Sequence, residues 1–386
     1  MRAAVTILAL WAAGLGAAAQ FGKMSVVYPA LEQVYAGPSA VAVGLILSVV
    51  GLVGLIFGTT AGLWVARIGP RRVIVAALVL GAGASLWQSQ FPPYLPMMLS
   101  RVVEGFSHLA IVVVGPTAIA GLAGARWQGA AMTLWSSFFG VAYAVLFWLG
   151  PGLVAAEGPA PLFFAHAGWM LLCAAVLFLL LPPDRRAAVE AGGASQVAQH
   201  LAIYASPFLA APAMGFVCYT ITYVAVLTLL PAMMGAAGAV IGVAMPLVSI
   251  ALSLTLGVWL LGRMRAVHLV QAGFVGAILG AAGLWLVWGQ GAAVIFALAV
   301  AGCLGIVQGA SFAALAELNP SATDRAKAAG AIAQLGNLGT VTGTPLLVWL
   351  VAQAGEVGLA LFLIGFSGLG IVIHALQARR RQTFST

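Results

Sequence analysis

Lys23, Arg101, Glu104 and His108 stand inside apolar stretches of this chain. Arg101 and Glu104 are spaced i, i+3, so they share one face of a helix, and His108 continues that face at i+4 from Glu104. Two cations, one carboxylate and one imidazole suit the holding of an anion and the movement of a proton. One cation is neutralised by Glu104. The other is left for a substrate anion or a counter-ion. Glu104 and His108 are the groups suited to carrying a coupling proton, and Lys23 and Arg101 those suited to attracting a negative group. A structural role is the competing reading. Arg101–Glu104 could position helices, Lys23 could snorkel to the outer surface, and His108 could be a satisfied core imidazole.

The surroundings make these charges informative. The chain has 386 residues, of which 63% are hydrophobic and 6% charged. Its mean hydropathy is +1.11. Soluble domains carry about 25% charged residues. A globule of this size with so few charges excludes a soluble enzyme, a nucleic-acid-binding domain and a disordered chain, and leaves lipid as the main solvent. An ionisable side chain at the centre of a span costs about 2.5–3.5 kcal/mol on the insertion scale, so each is a functional candidate by default. Cys173, Cys218 and Cys303 lie in apolar runs without CxxC spacing, which argues against a disulfide framework or a zinc site.

Cutting at proline, glycine and charge clusters predicts twelve spanning helices: 4–34, 38–65, 71–90, 94–122, 129–153, 160–181, 204–234, 237–262, 267–288, 291–318, 327–353 and 357–378. The runs are continuously apolar rather than alternating, which favours helices over a barrel. Arg2 and Ala17-Ala18-Ala19 imitate a secretory signal, but apolar character resumes after Lys23, so the segment reads as the first span. With the N-terminus cytoplasmic, the inner side holds Arg2, Arg67, Arg71, Arg72, Arg126, Arg185, Arg186, Arg263, Arg265, Arg325, Lys327 and Arg379-Arg380-Arg381. That is fourteen of the sixteen Lys and Arg, so both termini are expected in the cytoplasm. Glu32, Glu157 and Glu356 fall outside.

The polar interruption at 182–203 divides 1–181 from 204–378, each with six spans, and 379–386 is a basic cytoplasmic tail. Arg126 and Arg325, Gly140 and Gly339, and Gly58 and Gly257 all share an offset of 199 residues, a hint of internal duplication.

The loop after the second span reads Gly62-Leu-Trp-Val-Ala66-Arg67-Ile-Gly69-Pro-Arg71-Arg72. It resembles the signature loop of the major facilitator superfamily, Gly-x-x-x-Asp-Arg-x-Gly-Arg-Arg. Gly62, Arg67 and Gly69 match, and Arg71 and Arg72 supply the basic run. Ala66 stands where the family has Asp, which puts the family's cytoplasmic charge lock in doubt here. Arg101-Val-Val-Glu104-Gly105 is similar to the family's second motif. Gly150-Pro151-Gly152 is similar to the tail of the motif of proton-driven drug exporters, but Leu146 replaces a glycine of that motif and weighs against a drug antiporter. Gln20–Lys23 and Arg101–Pro116 resemble a proteobacterial group related to cyanate-type permeases, which includes copper and riboflavin importers.

The resemblance implies an all-α integral membrane protein with two pseudo-symmetric six-helix bundles, in which spans one, four, seven and ten line a central cavity. Lys23 and Glu104 each lie about 15 Å below the outer end of their helices, at about 1.5 Å per residue, and should meet. Tyr219, Tyr223 and Gln308 are the candidates from spans seven and ten, with Thr222, Ser311, Gln334 and Asn337 as milder ones. Polar groups of this kind also bond neighbouring helices. Glu317 belongs with an inner-face charge network, and Gly339 and Gly343 with helix packing. Trp135 falls inside span five, where it packs or touches an aromatic substrate. Met214, Cys218 and Met245 are a low-ranked soft-ligand set for Cu(I), though Met and Cys commonly fill apolar gaps.

The expected function is secondary active transport of a small anionic or carboxylate-bearing solute across a bacterial inner membrane by alternating access, coupled to protons or another ion. Copper or riboflavin import, proton-driven efflux and a non-transporting receptor are the alternatives. An enzyme is not expected, because Ser107 and His108 are adjacent and face different directions. No cofactor, no nucleic acid and no ATP are expected, and the chain is expected to act as a monomer.

Overall fold

The structure is a computed structural model that describes residues 2–35, 37, 39–58, 60–124, 126–184 and 196–384. Arg185, Arg186 and the rest of 185–195, half of the expected linker, lie outside the described residues. The chain divides into two compact units, Met1–Glu190 and Ala191–Thr386.

The first unit contains α1 (Arg2–Val26), α2 (Tyr28–Val34), α3 (Ala40–Ser48), α4 (Gly51–Phe57), α5 (Ala61–Ile68), α6 (Pro70–Gln88), α7 (Tyr94–Leu122), α8 (Gln128–Ser136), α9 (Phe138–Glu157) and α10 (Ala160–Leu180). The second contains α11 (Gln196–Ala205), α12 (Ala210–Met233), α13 (Gly238–Leu252), α14 (Val258–Leu261), α15 (Ala266–Leu286), α16 (Ala293–Leu318) and α17 (Ala322–Phe384). A π-helical turn, Ser253–Gly257, joins α13 to α14.

Among the described residues, ten helices are long and apolar enough to cross a bilayer, or eleven if α3 and α4, bent by 59°, form one span. The expected twelve differ from this count at two places. Span 38–65 is broken into α3, α4 and α5. Spans 327–353 and 357–378 run together in α17, whose helical course is interrupted at Gly355 (φ 54°, ψ −131°). At 1.5 Å per residue, 63 residues would reach about 95 Å, three times the hydrocarbon thickness. Gly355 occupies a backbone region that side chains rarely adopt, so it separates two helical arms.

In the first unit α1 packs on α7, α9 and α10, and α6 packs on α7 and α10. Leu10, Ala17, Leu78, Ile111, Met170 and Leu177 are among the buried apolar side chains between them. Trp135 belongs to this core: its ring lies against Gly14, Gly115 and Phe138. In the second unit α12 packs tightly on the first arm of α17, where Gly339 and Gly343 bring that arm against the backbone of Val217 and Ile221. Both glycines serve helix packing.

Candidate functional site

Lys23 on α1 and Arg101 and Glu104 on α7 meet with no exposed surface on any of the three side chains. Bilayer-facing helices cannot leave such groups unpartnered, and here each is closed by its neighbours. Lys23 Nζ donates to Glu104 Oε1 at 2.6 Å and to Ser85 Oγ at 3.0 Å, and lies 3.3 Å from His166 Nδ1. Arg101 donates to the carbonyls of Ile46 (2.8 Å), Leu47 (3.0 Å) and Gln20 (2.8 Å), and from Nη1 to Glu104 Oε2. Gln88 Nε2 on α6 donates to the same Oε2 at 2.9 Å.

His166, on α10, enters this cluster although sequence reasoning missed it. Its Nε2 lies 3.0 Å from the carbonyl of Gly16, which can only accept, so Nε2 carries a hydrogen. Its Nδ1 faces the Lys23 ammonium, which can only donate, so Nδ1 presents a lone pair and the ring is neutral. Ser85 Oγ accepts from Lys23 at 3.0 Å and lies 3.0 Å from two acceptors for its one hydrogen, the carbonyl of Phe163 and His166 Nδ1. The ammonium faces three acceptors, Glu104 at 2.6 Å, Ser85 at 3.0 Å and His166 at 3.3 Å, the last of which also lies against the Ser85 hydroxyl. The cluster carries a net charge of +1, from two cations, one carboxylate and a neutral imidazole. The side-chain oxygens of Gln20 and Gln88 are buried at its edge with no hydrogen-bond partner.

His108 lies elsewhere. Its Nδ1 is 3.1 Å from the carbonyl of Ala17, and its ring meets Phe21 edge-on at 5.0 Å. The i+4 spacing from Glu104 holds along α7, but the imidazole in contact with the charged cluster is that of His166.

In the second unit, Phe216, Tyr219 and Tyr223 form an aromatic ladder on α12, with Tyr219 and Tyr223 stacked at 5.1 Å and both buried. Gln308 is half-buried on α16. Thr222 and Ser311 bond carbonyls of their own helices, as does the half-buried Asn337, and Gln334 accepts from Tyr204. Met214 Sδ accepts from Gln377 Nε2 at 2.8 Å, Cys218 is buried on α12, and Met245 is buried on α13. Among the described residues no group of three or more His, Cys, Asp or Glu could hold a metal ion. Glu317 accepts from Arg265 Nε at 3.0 Å and from the backbone of Ala266 at 2.7 Å.

The signature-like loop has a carboxylate after all, from a different part of the chain. Gly62 and Arg67 are exposed on α5. Gly69 precedes α6 with φ 105°. Asp184 accepts from the backbone N–H groups of Arg71 (2.9 Å) and Arg72 (3.0 Å), at the positive end of α6. Its carboxylate fills the space that a Cβ on Gly69 would take. Arg71 turns back to donate to the carbonyl of Phe178 at 2.6 Å.

A polytopic helical chain that seals a charged cluster inside one of its two units is built for a membrane. The chain belongs to the Major Facilitator Superfamily, a family of transporters, whose sequence profile matches residues 10–344. The fold is similar to that of a D-xylose-proton symporter, with a TM-score of 0.74 at 17% identity, covering 96% of each chain. It is also similar to a bacterial homologue of the human lysosomal transporter Spinster, in an inward-facing, unoccupied conformation, with a TM-score of 0.72 at 14% identity, covering 98% of this chain and 97% of that one. No curated protein sequence matches the chain.

Proposed function

We propose that this transporter moves a small anionic solute together with protons, by alternating access, in a bacterial inner membrane. The observation that carries the reading is the sharing of one carboxylate, Glu104, by two fully buried cations, Lys23 and Arg101. A net +1 charge away from water is costly, and a solute carboxylate or phosphate arriving nearby offsets it. In the conformation seen, Lys23 and four of the five Arg101 N–H groups face internal partners. The surplus charge acts through its field, which water screens little in a buried site.

Proton coupling draws support from the name of one structural neighbour, a proton symporter, and from the imidazole against the cluster. In this reading the first six spans run over 1–181 and the second six over 204–378, joined by a cytoplasmic linker at 182–203, with the basic tail 379–386 on the same side. Counting α1 with α2 as one span, α3 to α5 as one, α8 with α9 as one, α13 with α14 as one, the two arms of α17 separately, and setting α11 aside with the linker gives the twelve. Tyr219, Tyr223 and Gln308 supply the second unit's contacts to the solute. Gly62, Arg67, Gly69 and Arg71 form the loop that switches conformation, with Asp184 as its carboxylate.

The test is uptake into proteoliposomes under an imposed pH gradient, with a panel of labelled monocarboxylates, dicarboxylates, phosphate and neutral sugars. Accumulation of an anion that collapses with the gradient is expected. Accumulation of neutral solutes alone would refute the anionic reading.

A further inference from the structure

We propose that Lys23 is the group that binds and releases the coupling proton, with the lone pair of His166 Nδ1 as its immediate acceptor. The inference rests on the reading of this cluster as the coupling site, and deepens it.

Charge counting separates the candidates. Glu104 holds Lys23, Arg101 and Gln88 at once. Protonating it would leave two buried cations with no counter-charge, a net +2 without exposed surface. Arg101 keeps its proton under all working conditions. Loss of a proton from Lys23 leaves Arg101 and Glu104 as a neutral pair, so the neutral state of the cluster is reached at Lys23 alone. Lysine is also the cation that can serve as a base when buried.

The remaining groups packed against Lys23 fit this assignment. From α7 come Arg101 and Glu104, with His108 held on the carbonyl of Ala17. From α9 comes Tyr143, whose hydroxyl lies 3.3 Å from Ser25 Oγ. From α6 come Ser85 and Gln88, which do not titrate. From α10 comes His166, whose Nε2–H on the Gly16 carbonyl turns the Nδ1 lone pair toward the ammonium at 3.3 Å and the Ser85 hydroxyl at 3.0 Å. In the transfer, one Nζ–H bond of Lys23 breaks and its electron pair stays on the amine, while a new N–H bond forms at His166 Nδ1. The cluster's charge is unchanged until the imidazolium gives that proton to water when the site opens. The protonated cluster then has a surplus positive charge for an anion and the deprotonated cluster has none. Proton and anion bind together and leave together, which by reciprocity makes each raise the other's affinity. The device implies symport of an anion with a proton.

Only two lysines occur in the chain, Lys23 and Lys327. The full-length protein carrying Lys327→Arg and lysine labelled with ¹³C at Cε therefore gives a single signal. That signal is expected to pass from ammonium to amine across the carrier's working pH range, without any solute present. His166→Gln, which removes the basic nitrogen beside the ammonium, is expected to move the midpoint. A lysine that remains an ammonium throughout while the ¹³C carboxyl signal of Glu104 titrates, or a midpoint indifferent to His166→Gln, would overturn the proposal. As a second variant, Lys23→Arg retains the charge and the contact to Glu104 but cannot release its proton. It is expected to keep anion-induced thermal stabilisation and lose proton-driven accumulation, and accumulation at the wild-type level would again overturn the proposal. Titration of Lys23 in a protein that binds no anion would refute the anionic reading alone. Anion binding with a non-titrating Lys23 would refute this inference alone.

Discussion

The Lys23 ammonium sits 2.6 Å from a carboxylate oxygen of Glu104, and neither side chain has exposed surface. Because Arg101 binds the other oxygen, the two halves of this ionic triad are unequal. Glu104→Gln leaves two buried cations facing a neutral amide. Removing one partner of a buried ion pair costs about 3–5 kcal/mol, so this variant should unfold at much lower temperature than the parent. Lys23→Met leaves the neutral Arg101–Glu104 pair intact and should cost less. Thermal unfolding in one detergent ranks the two, and the opposite order would contradict the charge count.

Asp184 is expected to anchor α6. Asp184→Asn keeps the shape but removes the charge from the helix N-terminus, where such interactions are worth about 0.5–2 kcal/mol. A lower melting temperature of that size is the expected result. Gly69→Ala should be worse, because the added methyl overlaps the Asp184 carboxylate and φ is 105°. Parent-like unfolding of both variants would mean that the contact carries no stability.

Gly355→Ala should destabilise the second unit. A non-glycine residue forced into this backbone region costs about 1–3 kcal/mol. The alternative for the chain is to straighten into a helix too long for the bilayer. Circular dichroism with thermal unfolding reads both outcomes, and an unchanged melting temperature would show that the break is not set by Gly355.

Much of this was legible in the sequence, and the gaps have physical causes. Spans such as 94–122 and 160–181 match α7 and α10 because runs of apolar residues end at polar or proline-rich turns. The breaks within 38–65 were not legible, since Val49-Val50-Gly51 is as apolar as its surroundings and the carbonyls just before it, of Ile46 and Leu47, are met by Arg101 from the distant α7. Lys23, Arg101 and Glu104 stood out as rare charges in lipid-solvated helices, and their depth predicted that they would meet. His166 was hidden because a single imidazole in Phe163-Phe164-Ala165-His166-Ala167 has no charged neighbour along its own helix. Its partners, Lys23, Ser85 and Gly16, come from α1 and α6. A weighting of every histidine at mid-span depth would have found it. Asp184 gave no signal either, because its partners Arg71 and Arg72 lie more than a hundred residues away.

The central claim is that the surplus positive charge beside Glu104 recognises the solute. The most direct measurement is a thermal-shift panel of small carboxylates and phosphate on the parent protein and on Lys23→Met, since a ligand that binds only the folded state raises its melting temperature increasingly as its concentration exceeds Kd. The account predicts that at least one anion stabilises the parent, and that this stabilisation vanishes in Lys23→Met, where the cluster is neutral. The same anion stabilising both proteins equally would contradict it.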